Sequence, residues 1–239
     1  MIIRDKLSTF ERYEEILARQ SEYIIEEQED LTGYDPISDK KKIIDTYDTI
    51  LKYSLDNLLV SYSMGSDLDT FKENLQIVID SMEKVWRQSN GYVQMVWVLS
   101  FGIMLDINIQ KINKLKDLVQ QDNPNDYLID FLLNSKTDWA LSHTDFKFPV
   151  PYKSLKDVIS LALENRKNEA VLRLKEYLDK EWYKGHSDTG WYNSHSSKYN
   201  IYSGYWSWES GALVKILGLD DTILKDQQYY PYDMVHWKD

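Results

Sequence analysis

The most informative part of the chain reads Tyr202-Ser203-Gly204-Tyr205-Trp206-Ser207-Trp208-Glu209-Ser210-Gly211-Ala212-Leu213-Val214-Lys215-Ile216-Leu217-Gly218-Leu219-Asp220-Asp221. Aromatic residues crowd its first part, and a largely apolar run fills its second part. Gly218 stands where a helix would end in the left-handed conformation that glycine adopts most readily. The stretch therefore predicts an aromatic turn that leads into one helix, with two acids directly after the helix stop.

The aromatic residues at the start of this helix are expected to anchor it. Of Tyr205, Trp206 and Trp208, at least two should pack inward, and we expect Trp206 to be in the core. Burial of each ring is worth roughly 1.5 to 3 kcal/mol. In the first turn, Glu209 can cap the helix start or hold a backbone amide or a tyrosine hydroxyl. Asp220 and Asp221 are expected to cap a short helix that follows.

Helical periodicity also dominates the rest of the chain. Between Ser66 and Gln88, apolar residues recur every three or four positions, and Ser66 with Asp69 resembles a capping box. A second stripe runs from Ser38 to Ser63 and stops at Met64-Gly65, and the acidic segment from Lys6 to Asp30 predicts a surface-packed helix. No run of alternating β-branched residues is present.

These patterns predict an all-α protein: a single compact multi-helix domain of stacked helical hairpins, with an aromatic-rich loop near the C-terminus. Phe146-Lys147-Phe148-Pro149-Val150-Pro151 cannot continue a helix and is typical of extended chain. We therefore expect an N-terminal helical part at 1–138, a linker at 139–151 and a C-terminal helical part at 152–239, packed as one unit.

The amino-acid composition excludes several classes of function. The net charge is −11, a field that repels phosphate backbones and favours a basic partner protein over direct nucleic-acid binding. The chain has no cysteine, which excludes disulfides, thiolate zinc sites and a cysteine nucleophile. Neither a signal-peptide pattern nor an apolar run of membrane-spanning length is present, so we expect a cytoplasmic protein that does not bind membranes.

Three kinds of site other than a protein interface are conceivable. His186, Asp188 and His195 carry zinc-ligand atoms, but their spacing matches no metal pattern and hydrogen bonding within the loop is favoured. Along a helix, Glu209 and Asp220 would lie roughly 16 Å apart, farther than the roughly 5 to 9.5 Å between glycosidase carboxylates. The aromatic loop 182–208 offers a carbohydrate-stacking surface, although ring packing is the stronger interpretation. No cofactor is expected.

The C-terminal pattern resembles the PoNi family, immunity proteins that neutralise PoNe-type DNA-degrading toxins in competition between bacteria. The resemblance rests on the spaced motif from Tyr202 to Glu209, the helix Ala212 to Leu217, Gly218 to Asp221, and Tyr230-Pro231-Tyr232-Asp233. The N-terminal Arg4-Asp5-Lys6, followed by a long acidic helix, is similar to the family's opening. The resemblance implies a mostly helical, non-enzymatic protein that binds its toxin and occludes the nuclease site.

The resemblance also implies two sets of residues. We expect the family signature to maintain the fold: Tyr202, Gly204, Tyr205, Trp206, Glu209, Gly218, Pro231, Tyr232 and Asp233. Acids that face the basic toxin are predicted to be Asp188, Glu209, Asp220, Asp221 and Asp226. A homodimer through the spare apolar stripe of the Ser66 to Gln88 helix is permitted. The competing hypotheses are a helical hydrolase or a carbohydrate-binding protein that uses loop 182–208, and a scaffold for another basic protein.

Overall fold

The computed structural model describes residues 3–238, which contain α-helices, short 3-10 turns and no strand. The all-α prediction is confirmed. The helices are α1 (Phe10–Gly33), α2 (Lys40–Met64), α3 (Leu68–Val85), α4 (Gln88–Met104), α5 (Ile109–Gln121), α6 (Tyr127–Asn134), α7 (Pro149–Tyr152), α8 (Leu155–Leu163), α9 (Lys167–Lys180), α10 (Trp182–Gly185), α11 (Trp208–Leu217) and α12 (Tyr232–Val235). Across residues 3–238, no helix combines the length and the apolar character needed to cross a membrane.

The helices belong to two compact units. The first contains α1, α2 and α3 together with the loop Asn193–Tyr205, and the second contains Gln88–Tyr192 and the residues from Trp206 onward. Residues 139–148 form no helix, and α7 begins at Pro149. The proposed division of the chain at 139–151 stays a prediction.

The first unit is a helical hairpin with a third helix against it. α1 packs along α2, and α2 packs along α3. Gly65 ends α2 in the left-handed region, at φ 97°, which confirms the predicted stop. The predicted capping box was wrong, because α3 is capped by Asp67, whose side chain accepts a hydrogen bond from the Thr70 amide. An aspartate directly before the first helical residue reaches that amide, whereas Ser66 lies one position too early.

The apolar stripe of α3 is not spare. Phe71, Leu75, Val78 and Met82 are almost completely buried within the chain. Since these side chains already lie in the core, the stripe offers no free apolar face for a second copy. Any homodimer would therefore need a different surface.

The second unit is built around α4, whose apolar residues are buried on nearly all sides. α11 packs on α4, with the Trp208 ring edge-on to Phe101 at a centroid distance of 4.9 Å. Close approach depends on Gly211, because a Cβ at that position would lie 2.5 Å from the Met104 sulfur. α8 and α9 form a helical hairpin.

Candidate functional site

The aromatic residues of the signature motif are mostly core. Tyr202, Tyr205 and Trp208 are buried, which confirms that at least two rings pack inward. The prediction for Trp206 was wrong, because its ring is only half-buried, with its centroid 6.0 Å from that of Trp208. Trp206 lies in the loop before α11, which begins at Trp208, and its ring is at the edge of the core.

Within the first unit, Asp5 holds the signature tyrosine in place. Its carboxylate accepts hydrogen bonds from the hydroxyl of Tyr202 at 2.9 Å and from the hydroxyl of Tyr13 at 2.8 Å. It also accepts one from the Leu7 amide at 3.1 Å. A carboxylate with three donors can remain buried without a cation beside it. Asp5 therefore joins the N-terminal segment, α1 and the C-terminal motif.

Next to this group, Tyr205 is bonded to the loop that precedes it. The Tyr205 hydroxyl accepts a hydrogen bond from the His195 amide at 3.1 Å and lies 2.9 Å from Nδ1 of the same histidine. The hydroxyl can accept from the amide and donate to the ring nitrogen at the same time. His195 therefore makes hydrogen bonds within the loop, which the sequence analysis favoured over a role as a zinc ligand.

In the second unit, Glu209 is the centre of a buried polar cluster. Its Oε1 accepts hydrogen bonds from Trp182 Nε1 at 2.8 Å, Ser207 Oγ at 2.7 Å and the Tyr177 hydroxyl at 3.3 Å. The residue is completely buried, and its Oε2 has no hydrogen-bond partner. Glu209 therefore contacts a tyrosine hydroxyl, as expected. It does not reach the surface, so it is withdrawn from the residues expected to face a toxin.

Burial gives Glu209 an unusual protonation. Loss of solvent is the largest influence and raises the pKa of Glu209 to about 7, against the opposing effect of its three donors. A protonated carboxyl group still accepts these hydrogen bonds through Oε1 and carries no charge on the unpaired oxygen. The cluster is thus built around an acid that is mainly neutral below pH 7.

This shift predicts a specific pH dependence of stability. Unfolded Glu209 loses its proton near pH 4.5, whereas folded Glu209 keeps it until about pH 7. The folded state binds the extra proton in that window, so stability falls as pH rises. We expect Glu209→Gln, which never ionises, to gain about 2 to 3 kcal/mol relative to the wild type between pH 5 and pH 8. Urea unfolding at both pH values measures this difference.

The control for that experiment is Glu73→Gln, which removes one exposed carboxylate from α3. Its stability relative to the wild type should change little over the same pH range, since the buried cluster around Glu209 is left intact. Parallel pH profiles for Glu209→Gln and the wild type would contradict the buried-acid interpretation.

Asp221 behaves as Asp5 does and not as a surface acid. Its carboxylate accepts a hydrogen bond from the Tyr230 hydroxyl at 2.6 Å and lies 2.9 Å from His236 Nε2. It is 4% exposed and is therefore also withdrawn from the partner-facing set. The predicted helix cap was wrong for Asp221, which precedes the 3-10 turn Thr222–Leu224 without a side-chain capping bond; Asp220 instead accepts from the Thr222 amide at 3.1 Å and from the Thr222 hydroxyl at 2.6 Å. Asp220 remains exposed.

The remaining acids and glycines of the two predicted sets are placed as follows. Asp188 and Asp226 are exposed, so both remain available to a partner. Gly218 ends α11 at φ 58°, as the sequence indicates. Gly204 also lies in the left-handed region, at φ 97°, in the loop before the helix. The two glycines therefore supply backbone conformations that other residues rarely adopt.

The last part of the signature, around α12, is partly open to solvent. Pro231 is buried, and Tyr232 is half-buried with its ring 4.3 Å from that of His236. Asp233 is exposed. Asp233 is therefore open to solvent, unlike the buried signature residues Tyr202, Tyr205 and Glu209.

His186 and the Trp182 ring, which the zinc and carbohydrate alternatives would use, make internal contacts. His186 is buried, with Nδ1 2.7 Å from the Trp182 carbonyl and Nε2 3.3 Å from the Tyr152 hydroxyl, and burial lowers its pKa to about 4. Between residues 3 and 238, no group of three or more His, Asp or Glu side chains is placed to hold a metal ion. The Trp182 ring stacks on Trp191 at 5.7 Å, so these aromatic faces contact each other.

Sequence reasoning missed two buried acids in the second unit, Asp126 and Asp130. Asp126 caps α6 and also accepts from the Tyr92 hydroxyl and the Lys147 amide. Asp130 accepts from Trp139 Nε1 and from the amides of residues 142 and 143. Only the position of Asp126 directly before an apolar helix offered a signal. These acids hold the non-helical segment after α6.

Two family models match the chain. The model described as "PoNe immunity protein (PoNi), N-terminal" matches residues 4–117, and the one described as "PoNe immunity proteins (PoNi), C-terminal" matches residues 124–234. This chain belongs to the PoNi family. The resemblance inferred from the signature motif is confirmed, and residues 118–123 separate the two matched regions. As a PoNi protein, it is an inhibitor and not an enzyme.

A solved structure shares the PoNi fold seen here. "The Crystal Structure of Protein PA2201 from Pseudomonas aeruginosa" matches with a TM-score of 0.60 and 14% sequence identity, covering 99% of this chain and 98% of that one. At this identity the likeness establishes the fold alone. Among curated proteins, none is significantly similar in sequence.

Proposed function

We propose that this protein binds a cognate PoNe-type DNase toxin and blocks it by covering the nuclease active site. The observation that carries the proposal is the match of both PoNi models across almost the whole chain. The charge supports the same mechanism. A nuclease must present basic groups to DNA phosphates, and a protein of net charge −11 competes for those groups.

The partner, the location and the contact residues that we propose follow from competition between this protein and DNA for the basic groups of the toxin. The partner is a basic nuclease domain, and the inhibitor itself does not bind nucleic acid, because both carry negative charge. It acts in the cytoplasm, where the chromosome needs protection. Asp188, Asp220 and Asp226 are exposed acids that can face the toxin, whereas Glu209 and Asp221 support the fold. Complementary charge accelerates capture, which matters when one nuclease molecule can damage a chromosome.

Inhibition of purified toxin tests the mechanism directly. We expect plasmid cleavage by the toxin's nuclease domain to stop at a molar equivalent of this protein. Because the inhibitor and DNA compete for one site, the apparent inhibition constant should rise in proportion to DNA concentration. Co-expression with the active toxin should preserve cell survival and chromosomal DNA, and the two proteins should copurify.

The charge-reversal variant Glu73→Lys on α3 is a useful control, since it changes net charge without altering the three candidate acids. It should protect cells as the wild type does. An apparent inhibition constant that is independent of DNA concentration would contradict active-site occlusion while leaving toxin binding intact. Continued DNA cleavage with no complex would overturn the proposed function itself.

A further inference from the structure

One loop of the first unit presents two large apolar side chains to solvent. In Asn193–Tyr205, Tyr199 is 64% exposed and Ile201 is 53% exposed. Single exposed apolar residues are ordinary in proteins. This pair differs because the loop that carries it is tied to α1 by several hydrogen bonds.

Arg12 on α1 holds the backbone of this loop. Its guanidinium donates to the carbonyl oxygens of His195 at 3.1 Å, Ser197 at 2.9 Å and Tyr199 at 3.1 Å. A second tie joins Asn200 Nδ2 to Glu15 Oε2 at 3.0 Å. The planar guanidinium fixes three carbonyls at once, so little conformational freedom remains to be lost when a partner binds. The loop is therefore a preorganised support for Tyr199.

Further acidic side chains lie on the same face of α1 as Glu15, which accepts the hydrogen bond from Asn200. Glu11 and Glu22 are one and two helical turns from Glu15, on its side of the helix, and all three are exposed. The face is not uniformly negative, because the exposed Arg19 lies one turn from Glu15 on the same side of α1, and Lys198 Nζ lies 5.0 Å from the centroid of the Tyr199 ring. Tyr199, Ile201, Glu11, Glu15 and Glu22 together are called the Tyr199 surface.

We propose that the Tyr199 surface is the docking site for the toxin's nuclease domain, with Tyr199 as the central anchor and the glutamates against basic residues of the toxin. This inference rests on the proposed function. Tyrosine is enriched among the few residues that dominate binding energy, and complementary charges set the association rate. The DNA-binding groups of a nuclease supply the matching positive charge.

A second copy of the chain fits this surface poorly. In a two-fold symmetric dimer the same patch meets itself, so the set of glutamates Glu11, Glu15 and Glu22 would face the same set on the other copy. Like charges placed opposite each other in an interface are unfavourable. Charge complementarity thus selects a basic partner over self-association.

Binding of the purified, catalytically inactivated nuclease domain to the full chain, measured by surface plasmon resonance, tests this assignment. We expect Tyr199→Ala to raise Kd at least tenfold, mainly through faster dissociation, and Ile201→Ala to raise it several-fold. Glu22→Lys should slow association several-fold and reduce its salt dependence. Lys198→Glu should accelerate association, since it replaces a positive charge beside the anchor with a negative one.

Two control variants on α3 match the changes at Ile201 and Glu22. Ile77→Ala removes a 46% exposed isoleucine, and Glu73→Lys reverses an exposed acid with the same change in net charge as Glu22→Lys. Both should bind as the wild type does, and thermal unfolding should be unchanged in every variant.

The outcomes separate the two proposals. If the wild type binds the toxin and all four surface variants stay within twofold of it, the Tyr199 surface is overturned while toxin binding stands. If the wild type does not bind, the proposed function fails and this inference fails with it. Loss of a dimer in Tyr199→Ala, seen by analytical ultracentrifugation with toxin binding unchanged, would assign the surface to self-association instead and overturn the inference.

Discussion

Glu209→Ala is expected to lower the free energy of unfolding by about 3 to 5 kcal/mol at pH 6. The change leaves Trp182 Nε1, Ser207 Oγ and the Tyr177 hydroxyl without their common acceptor in a site that solvent does not reach. Ser207 Oγ still has Ser210 Oγ at 2.6 Å, but Trp182 Nε1 and the Tyr177 hydroxyl are stranded at a cost of about 1 to 3 kcal/mol each, and the lost side chain adds a cavity. Guanidinium unfolding followed by tryptophan fluorescence measures the loss.

The matched variant is Glu209→Gln, which retains the shape and can accept the same three hydrogen bonds through Oε1. At pH 6 it should be within about 1 kcal/mol of the wild type, because the native carboxyl group is mainly protonated there. At pH 8 the wild type also bears the cost of an ionised buried acid, so the deficit of Glu209→Ala should shrink. A deficit that grows between pH 6 and pH 8 would show that the ionised form is the stabilising one.

The second large effect is expected for Asp126→Ala, at about 3 to 4 kcal/mol. This fully buried carboxylate accepts from the Ile129 amide at 2.9 Å, the Lys147 amide at 2.8 Å and the Tyr92 hydroxyl at 3.1 Å. Its removal uncaps α6 and also frees the segment after it, since Lys147 loses its contact. Urea unfolding gives the loss, and limited proteolysis should show new cleavage between residues 139 and 148.

Asp67→Ala is the control, because it removes a helix cap that is exposed. Its side chain accepts from the Thr70 amide at 2.8 Å at the start of α3, so about 1 kcal/mol should be lost. The difference between the two variants measures the contribution of the Tyr92 and Lys147 contacts. Equal losses would mean that those two contacts add nothing to stability.

Local patterns were sufficient to predict the longer helices, whereas the four-residue helices α7 and α10 lie in segments predicted as linker and loop. Spacings of three and four placed α3 to within two or three residues at each end, and Gly218 and Gly65 marked real helix ends. Both signals are local, because an apolar stripe and a glycine stop depend on residues within a few positions of each other. The family signature is also a sequence pattern, so it indicated a PoNi protein before the fold was known.

Only the tertiary structure decides which acidic side chains are buried and which are exposed. Glu209 and Asp221 were expected at the surface with Asp220, yet both are buried while Asp220 is exposed. Burial of a carboxylate requires several donors, and some of these come from distant parts of the chain. Trp182 lies 27 residues before Glu209, and Tyr202 lies 197 residues after Asp5.

The Tyr199 surface illustrates the same limit. In sequence, Tyr199 is one of many aromatic residues in a polar loop, and Arg12 is one cation in an acidic helix. Only the fold brings the guanidinium under the carbonyl of a residue 187 positions away. Helical periodicity and the family signature were readable from residues near each other, whereas buried hydrogen bonding and surface shape arise from contacts that no local pattern encodes.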